Sequence, residues 1–201
     1  MSFASKSFVL LLSIVSALGA DKEKEKRFEP GPITSYSARQ TVEKLTLAAD
    51  PFDTEAKASL AFGKLNPNQY GILPVLVILQ NDGDQTLTLE GMRLEYILPT
   101  RQHLEATPAR EVPFTRGTDR PKVYSNPLPI PRAGGLKKNP LNAWEIEGRA
   151  FSAKMLPPGQ SASGFFYFQA SSTPGSVLYL TGIREASSRR ELFYMEIPFD
   201  K

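Results

Sequence analysis

The chain has 201 residues, is 41% hydrophobic and 22% charged, and carries 24 basic against 21 acidic side chains for a formal charge of +3. That balance excludes both a disordered chain and an integral membrane domain, and the length suffices for one domain with its own core. Cysteine is absent, which excludes disulfides, thiolate metal sites, a cysteine nucleophile and lipid attachment at a processed N-terminal cysteine.

Residues 1–20, MSFASKSFVLLLSIVSALGA, join a lysine in a short polar head to an apolar run over 8–15 and small residues before Asp21. This predicts a secretory signal peptide cleaved after Ala20. The run falls well short of the roughly 20 residues that a spanning helix needs, so no membrane span is expected in the mature chain. Residues 21–40 read as a charged, irregular leader, because DKEKEKR has no apolar partner and Pro30, Gly31 and Pro32 follow. The folded domain is expected over 41–201.

A first strand is expected at 41–49, where Val42, Leu45 and Leu47 alternate imperfectly with polar residues. Asp53 as N-cap, Glu55 in the first turn and Gly63 after the last turn predict a short helix at 54–62. Its buried side would carry Ala56, Leu60 and Ala61, with a strand at 58–62 as the competing reading. Residues 72–79 are apolar without interruption and rich in branched side chains, the pattern of a strand buried on both faces. Asn81-Asp82-Gly83-Asp84 then supplies turn chemistry for an antiparallel return, making 71–99 the expected central hairpin. In the return, Leu87 and Leu89 share one parity, whereas Met92, Leu94, Tyr96 and Leu98 share the other. A bulge or sharp bend is therefore expected at 90–92, about Gly91.

Residues 101–107 continue or end a strand. Residues 108–140 hold seven prolines and the pair Gly134-Gly135, with no apolar period; loops of this length tend to be functional or disordered. Asn139-Pro140 suits a helical turn carrying Leu141 and Trp144, although 145–151 could instead enter a strand. Further strands are expected at 151–156, 164–169, 176–183 and 191–199, with Pro158 and Gly159 central to a type II turn. In the last strand Phe193, Met195, Ile197 and Phe199 would face inward, and Pro198 places its end at a sheet edge. Seventeen prolines and 14 glycines, some seven short strands and no βαβ rhythm predict an all-β fold. The expected form is an immunoglobulin-like β-sandwich with one short helix and a long Pro-rich loop.

Two stretches, ILPVLVILQNDGDQTLTL and LPPGQSASGFFYF, resemble the buried strand, tight turn and aromatic strand of exported bacterial immunoglobulin-like sandwich domains. The resemblance covers 74–98 and 156–168. It implies a fold and an exported location and assigns no functional residue.

Catalytic motifs are scarce. Gly159-Gln160-Ser161-Ala162-Ser163 imitates a nucleophile elbow but ends in serine, and His103, the one histidine, precedes it in the chain. Glu145 and Glu147 would share a strand face beside Trp144, the arrangement of a carbohydrate-active enzyme and the weakest of three readings. Asn81–Asp84 lacks the spacing of a calcium loop, and Gly134-Gly135 that of a phosphate loop. No cofactor and no metal site is expected.

Charge is more informative. Residues 110–154 carry nine basic and four acidic side chains, a net +5 within a chain of +3. Such segregation creates a local field that favours an acidic partner. The expected function is an exported, non-enzymatic binding or assembly module of the bacterial cell envelope, periplasmic or secreted. Arg116, Arg120, Lys122, Arg132, Lys137 and Lys138 would attract an envelope protein or anionic polymer, and Tyr124 and Trp144 would supply contact area. Nucleic acid is not an expected partner of an exported chain. The alternative is a structural subunit that pairs through an exposed sheet edge at 191–199.

Overall fold

The structure is a computed structural model and describes residues 28–115 and 139–199. The signal-peptide and DKEKEKR readings and the middle of the Pro-rich loop lie outside these residues. In chain order the elements are β1 (Arg39–Val42), β2 (Leu45–Pro51), α1 (Glu55–Phe62), β3 (Leu73–Asn81), β4 (Leu87–Thr88), β5 (Arg93–Ile97), β6 (His103–Glu105), α2 (Trp144–Gly148), β7 (Met155–Leu156), β8 (Ser161–Phe168), β9 (Ser176–Thr181), β10 (Arg184–Glu185) and β11 (Met195–Phe199). The fold is mostly β with antiparallel sheets. One sheet orders β1-β2-β3-β8, a second β11-β9-β5-β6, and a small third β10-β4-β7.

The uninterrupted apolar run of β3 is explained by two cores. Leu73, Val75, Val77 and Leu79 join Leu45 and Leu47 of β2 and meet Leu94, Tyr96, Leu178, Leu180 and Ile197 of the second sheet. Leu76 and Ile78, of opposite parity, join Phe62 of α1 with Val112, Leu141 and Ile146. Strand β8 divides in the same way, Phe168 to the first core and Phe165 and Tyr167 to the second. Each fully buried side chain of this kind is worth about 1.5–3 kcal/mol, so a strand that loads both faces anchors two layers at once.

The residues at 41–49 form a hairpin and not one strand. Val42 pairs with Leu45 across a two-residue turn in which Glu43 and Lys44 take φ of 47° and 63°. Helix α1 is capped by Thr54, not Asp53: the Thr54 hydroxyl accepts from Lys57 N at 3.3 Å. Its buried side is Ala58, Ala61 and Phe62, whereas Ala56 is exposed and Leu60 is 70% exposed. Phe62 sets that orientation by placing its ring 4.9 Å from that of Phe165.

The expected central hairpin is also corrected. Strand β3 pairs with β2 and β8, and the chain after Asn81 crosses to the other sheets. Asn81 holds this crossing from a buried position. Its Nδ2 donates to the Gln85 carbonyl at 2.8 Å and the Leu156 carbonyl at 3.0 Å, and its Oδ1 accepts from Gly83 N at 3.0 Å. The bend at Gly91 is present: Met92 N donates to the Leu89 carbonyl, the strand breaks into β4 and β5, and both parities of leucine reach one core. Close backbone approach fixes Gly182 opposite, since a Cβ there would stand 2.0 Å from the Gly91 carbonyl oxygen.

Strand is found at Met155–Leu156 instead of across 151–156, and Phe193 is 72% exposed because β11 begins only at Met195. Strand β11 is an edge strand, as Pro198 implies. Among the described residues two α-helices are present where one was expected. Glu145 and Glu147 lie in α2, and two residues apart on a helix they point in different directions, which removes the paired-carboxylate arrangement.

Candidate functional site

The site begins with a glycine. Phe165 N donates to the Arg149 carbonyl at 2.9 Å and Phe151 N to the Phe165 carbonyl at 3.1 Å, so 149–151 runs along β8 through a parallel bridge. A Cβ on Gly164 would lie 2.4 Å from Phe151 Cα, so this approach requires glycine. Arg149 is thereby held at the end of α2. Its guanidinium carbon lies 5.6 Å from the Trp144 ring centre and 6.0 Å from that of Phe28. Trp144 leans over Gly148, where a Cβ would meet the indole at 2.8 Å.

These residues border a cleft of about 310 Å³ whose lining includes Leu76 and Phe165. Arg149 Nε and Nη1 are buried there without a hydrogen-bond partner. Two aromatic faces against the guanidinium are worth about 0.5–2 kcal/mol each. Tyr167 does not neutralise it. Burial pushes its phenol far above the ordinary value, with the Arg149 charge opposing, and its neutral hydroxyl donates to the Ile146 carbonyl at 2.7 Å. Glu147 approaches Arg110, at 3.9 Å. Chemically the cleft presents a half-buried positive charge between two aromatic rings, with two of its three nitrogens out of contact with water.

The described residues on either side of the basic segment meet beside this cleft. Asn139 Nδ2 donates to the Pro113 carbonyl and Asn139 Oδ1 accepts from Leu141 N, while Val112, Leu141 and Ile146 share a core. The two described ends of the loop therefore meet next to α2. Trp144 is 60% exposed on that helix. Arg116, Arg120, Lys122, Tyr124, Arg132, Lys137 and Lys138 lie outside the described residues. Sequence reading missed Phe28 and Arg149 as site residues. Phe28 stood in an irregular leader and Arg149 was one positive charge among nine; the available signal was Gly164 inside an aromatic strand.

His103 is placed elsewhere, its Nδ1 2.6 Å from Glu95 Oε2 on the exposed face of the second sheet. Among the described residues no group of three or more His, Cys, Asp or Glu side chains is arranged to hold a metal ion. Nor, among them, is any helix long and apolar enough to cross a membrane. Comparison of the chain with protein-family models gives no match, and comparison with curated proteins gives none either.

Proposed function

We propose that this protein is an exported, non-enzymatic binding module of the bacterial cell envelope that docks an acidic protein or anionic polymer on its α2 side. The observation that carries this reading is half-buried Arg149, whose Nε and Nη1 lie out of water without a hydrogen-bond partner between Trp144 and Phe28, in a segment of net charge +5. The diffuse charge steers the partner toward this face, and the cleft supplies a specific anchor of the arginine-aromatic kind that dominates interface energetics. The chain order of the strands supports an immunoglobulin-like arrangement. With the main strands lettered from β2, A-B-E lie in one sheet and C-F-G in the other, with the fourth strand, β6, on the C-F-G side. Pairing through the β11 edge has less support, because Glu196 N already donates to Gln40 Oε1 and Pro198 has no amide hydrogen.

The test is association with acidic envelope components, followed by surface binding at several salt concentrations. Lys137→Glu with Lys138→Glu is expected to slow association and flatten its salt dependence. Arg149→Gln is expected to hasten dissociation by at least tenfold while leaving the salt dependence in place. Binding unchanged by both variants would overturn the reading.

A further inference from the structure

We propose that the Arg149 cleft is a receptor for a single carboxylate bearing an apolar substituent. A polypeptide C-terminus ending in an apolar residue and a small apolar carboxylic acid share this chemistry. The inference rests on the anionic-partner reading above and names its ligand. Three features of the cleft select that class. Arg149 is its one basic lining residue among those described, so it matches one negative charge. The exposed carboxylate of Glu29 also lines it and repels a second negative charge, which disfavours phosphate and polyanions. Phe28, Pro30 and the 60%-exposed Trp144 offer apolar surface in the lining beside the hydroxyls of Ser152 and Ser163, so an alkyl or aryl substituent has a face to cover next to the carboxylate. Capture of a terminal carboxylate is a recurrent mode of peptide recognition.

Trp144 is the only tryptophan in the chain, so its emission reports on the cleft directly. The full chain is titrated with N-acetyl-leucine, its uncharged amide, inorganic phosphate and glucuronate. The expected result is a saturable emission change with N-acetyl-leucine, at a Kd on the order of millimolar for so small a probe. The amide, phosphate and glucuronate should each bind at least tenfold more weakly, and Arg149→Lys should weaken the acid about fivefold or more, since a point charge replaces the planar fork. Tighter binding of acetyl-Ala-Ala-Leu than of 4-methylpentanoate assigns the site to a C-terminus, and the reverse order assigns it to a free acid. Equal binding of acid and amide, equal binding of phosphate or glucuronate, or no saturable change would each overturn the proposal. The acid–amide comparison needs no variant, so misfolding of Arg149→Lys does not blunt it. If acid and amide bind alike while Arg149→Gln still releases the acidic partner, the ligand assignment falls and the broader reading stands. Discrimination of acid from amide without any effect of Arg149→Gln on the partner gives the converse.

Discussion

At Gly164 a methyl group would stand 2.4 Å from Phe151 Cα and 2.6 Å from its nitrogen, a backbone collision that no side-chain rotation relieves. Gly164→Ala is therefore expected to push 149–151 off β8, costing about 1–3 kcal/mol of stability and withdrawing Arg149 from Trp144. Urea denaturation reads the first effect and Trp144 emission the second; a variant with the parent's midpoint and spectrum would refute this account. Tyr167 gives a pH dependence from the same corner. Burial holds its phenol above the ordinary 10.0, so the folded protein keeps this proton after the unfolded chain has lost it. The associated stability is complete below pH 10 and is lost as pH rises from there toward the folded value. Tyr167→Phe loses the bond to Ile146 and should be about 1 kcal/mol less stable at pH 7. Because phenylalanine does not titrate, that deficit should shrink above pH 10, and a constant gap in denaturation midpoints across pH 8–11 would count against the assignment.

At the scale of elements, the two edges β1 and β11 lie together without forming a ladder. Glu196 N donates to the Gln40 side chain at 2.7 Å, and Phe193 N to Glu43 Oε1 at 3.2 Å. Glu196 and Pro198 share the parity that points away from β9, so one outward donor is occupied and the other is missing. Restoring both donors through Gln40→Ala with Pro198→Val is expected to open the edge and cause concentration-dependent self-association in sedimentation, whereas neither single change should suffice. A monomeric double variant would show that something else guards the edge. How legible such elements are depends on how local their causes are. Strand β3 was readable because burial on both faces writes an unbroken apolar run, and the Gly91 bend because a parity switch must be absorbed somewhere. The pairing of β3 was not readable, since the side-chain bonds of Asn81 that close a tight turn serve equally well to carry a chain between sheets. The β1–β2 hairpin was hidden because its turn uses Glu43 and Lys44, residues without a turn signature. The cleft was least legible of all. Phe28, Trp144, Arg149 and Gly164 come together only through the tertiary approach of 149–151 to β8.

For the whole molecule, the decisive question is whether the α2 face and the sheets form one cooperative unit, since a cleft that melted early would hold Arg149 poorly. Strand β3 argues for one unit, because its alternate residues belong to both cores and neither can be lost without stripping one of its faces. The two cores are joined again at Thr107, whose N donates to the Tyr167 carbonyl at 2.7 Å from the end of the second sheet. Leu76→Ala on the helix side and Leu79→Ala on the sheet side each remove a side chain no more than 1% exposed, and each should cost about 2–5 kcal/mol. Far-ultraviolet circular dichroism follows the sheets, and Trp144 emission follows the α2 face. With one cooperative unit the two signals share a urea midpoint in the parent, and in each variant both midpoints fall together by the same amount. If Leu76→Ala lowers the Trp144 midpoint while the sheet signal keeps the parental one, the α2 face is a separate unit. The cleft would then be assembled only while that unit is docked, and partner binding should weaken in step with the Trp144 transition instead of with global unfolding.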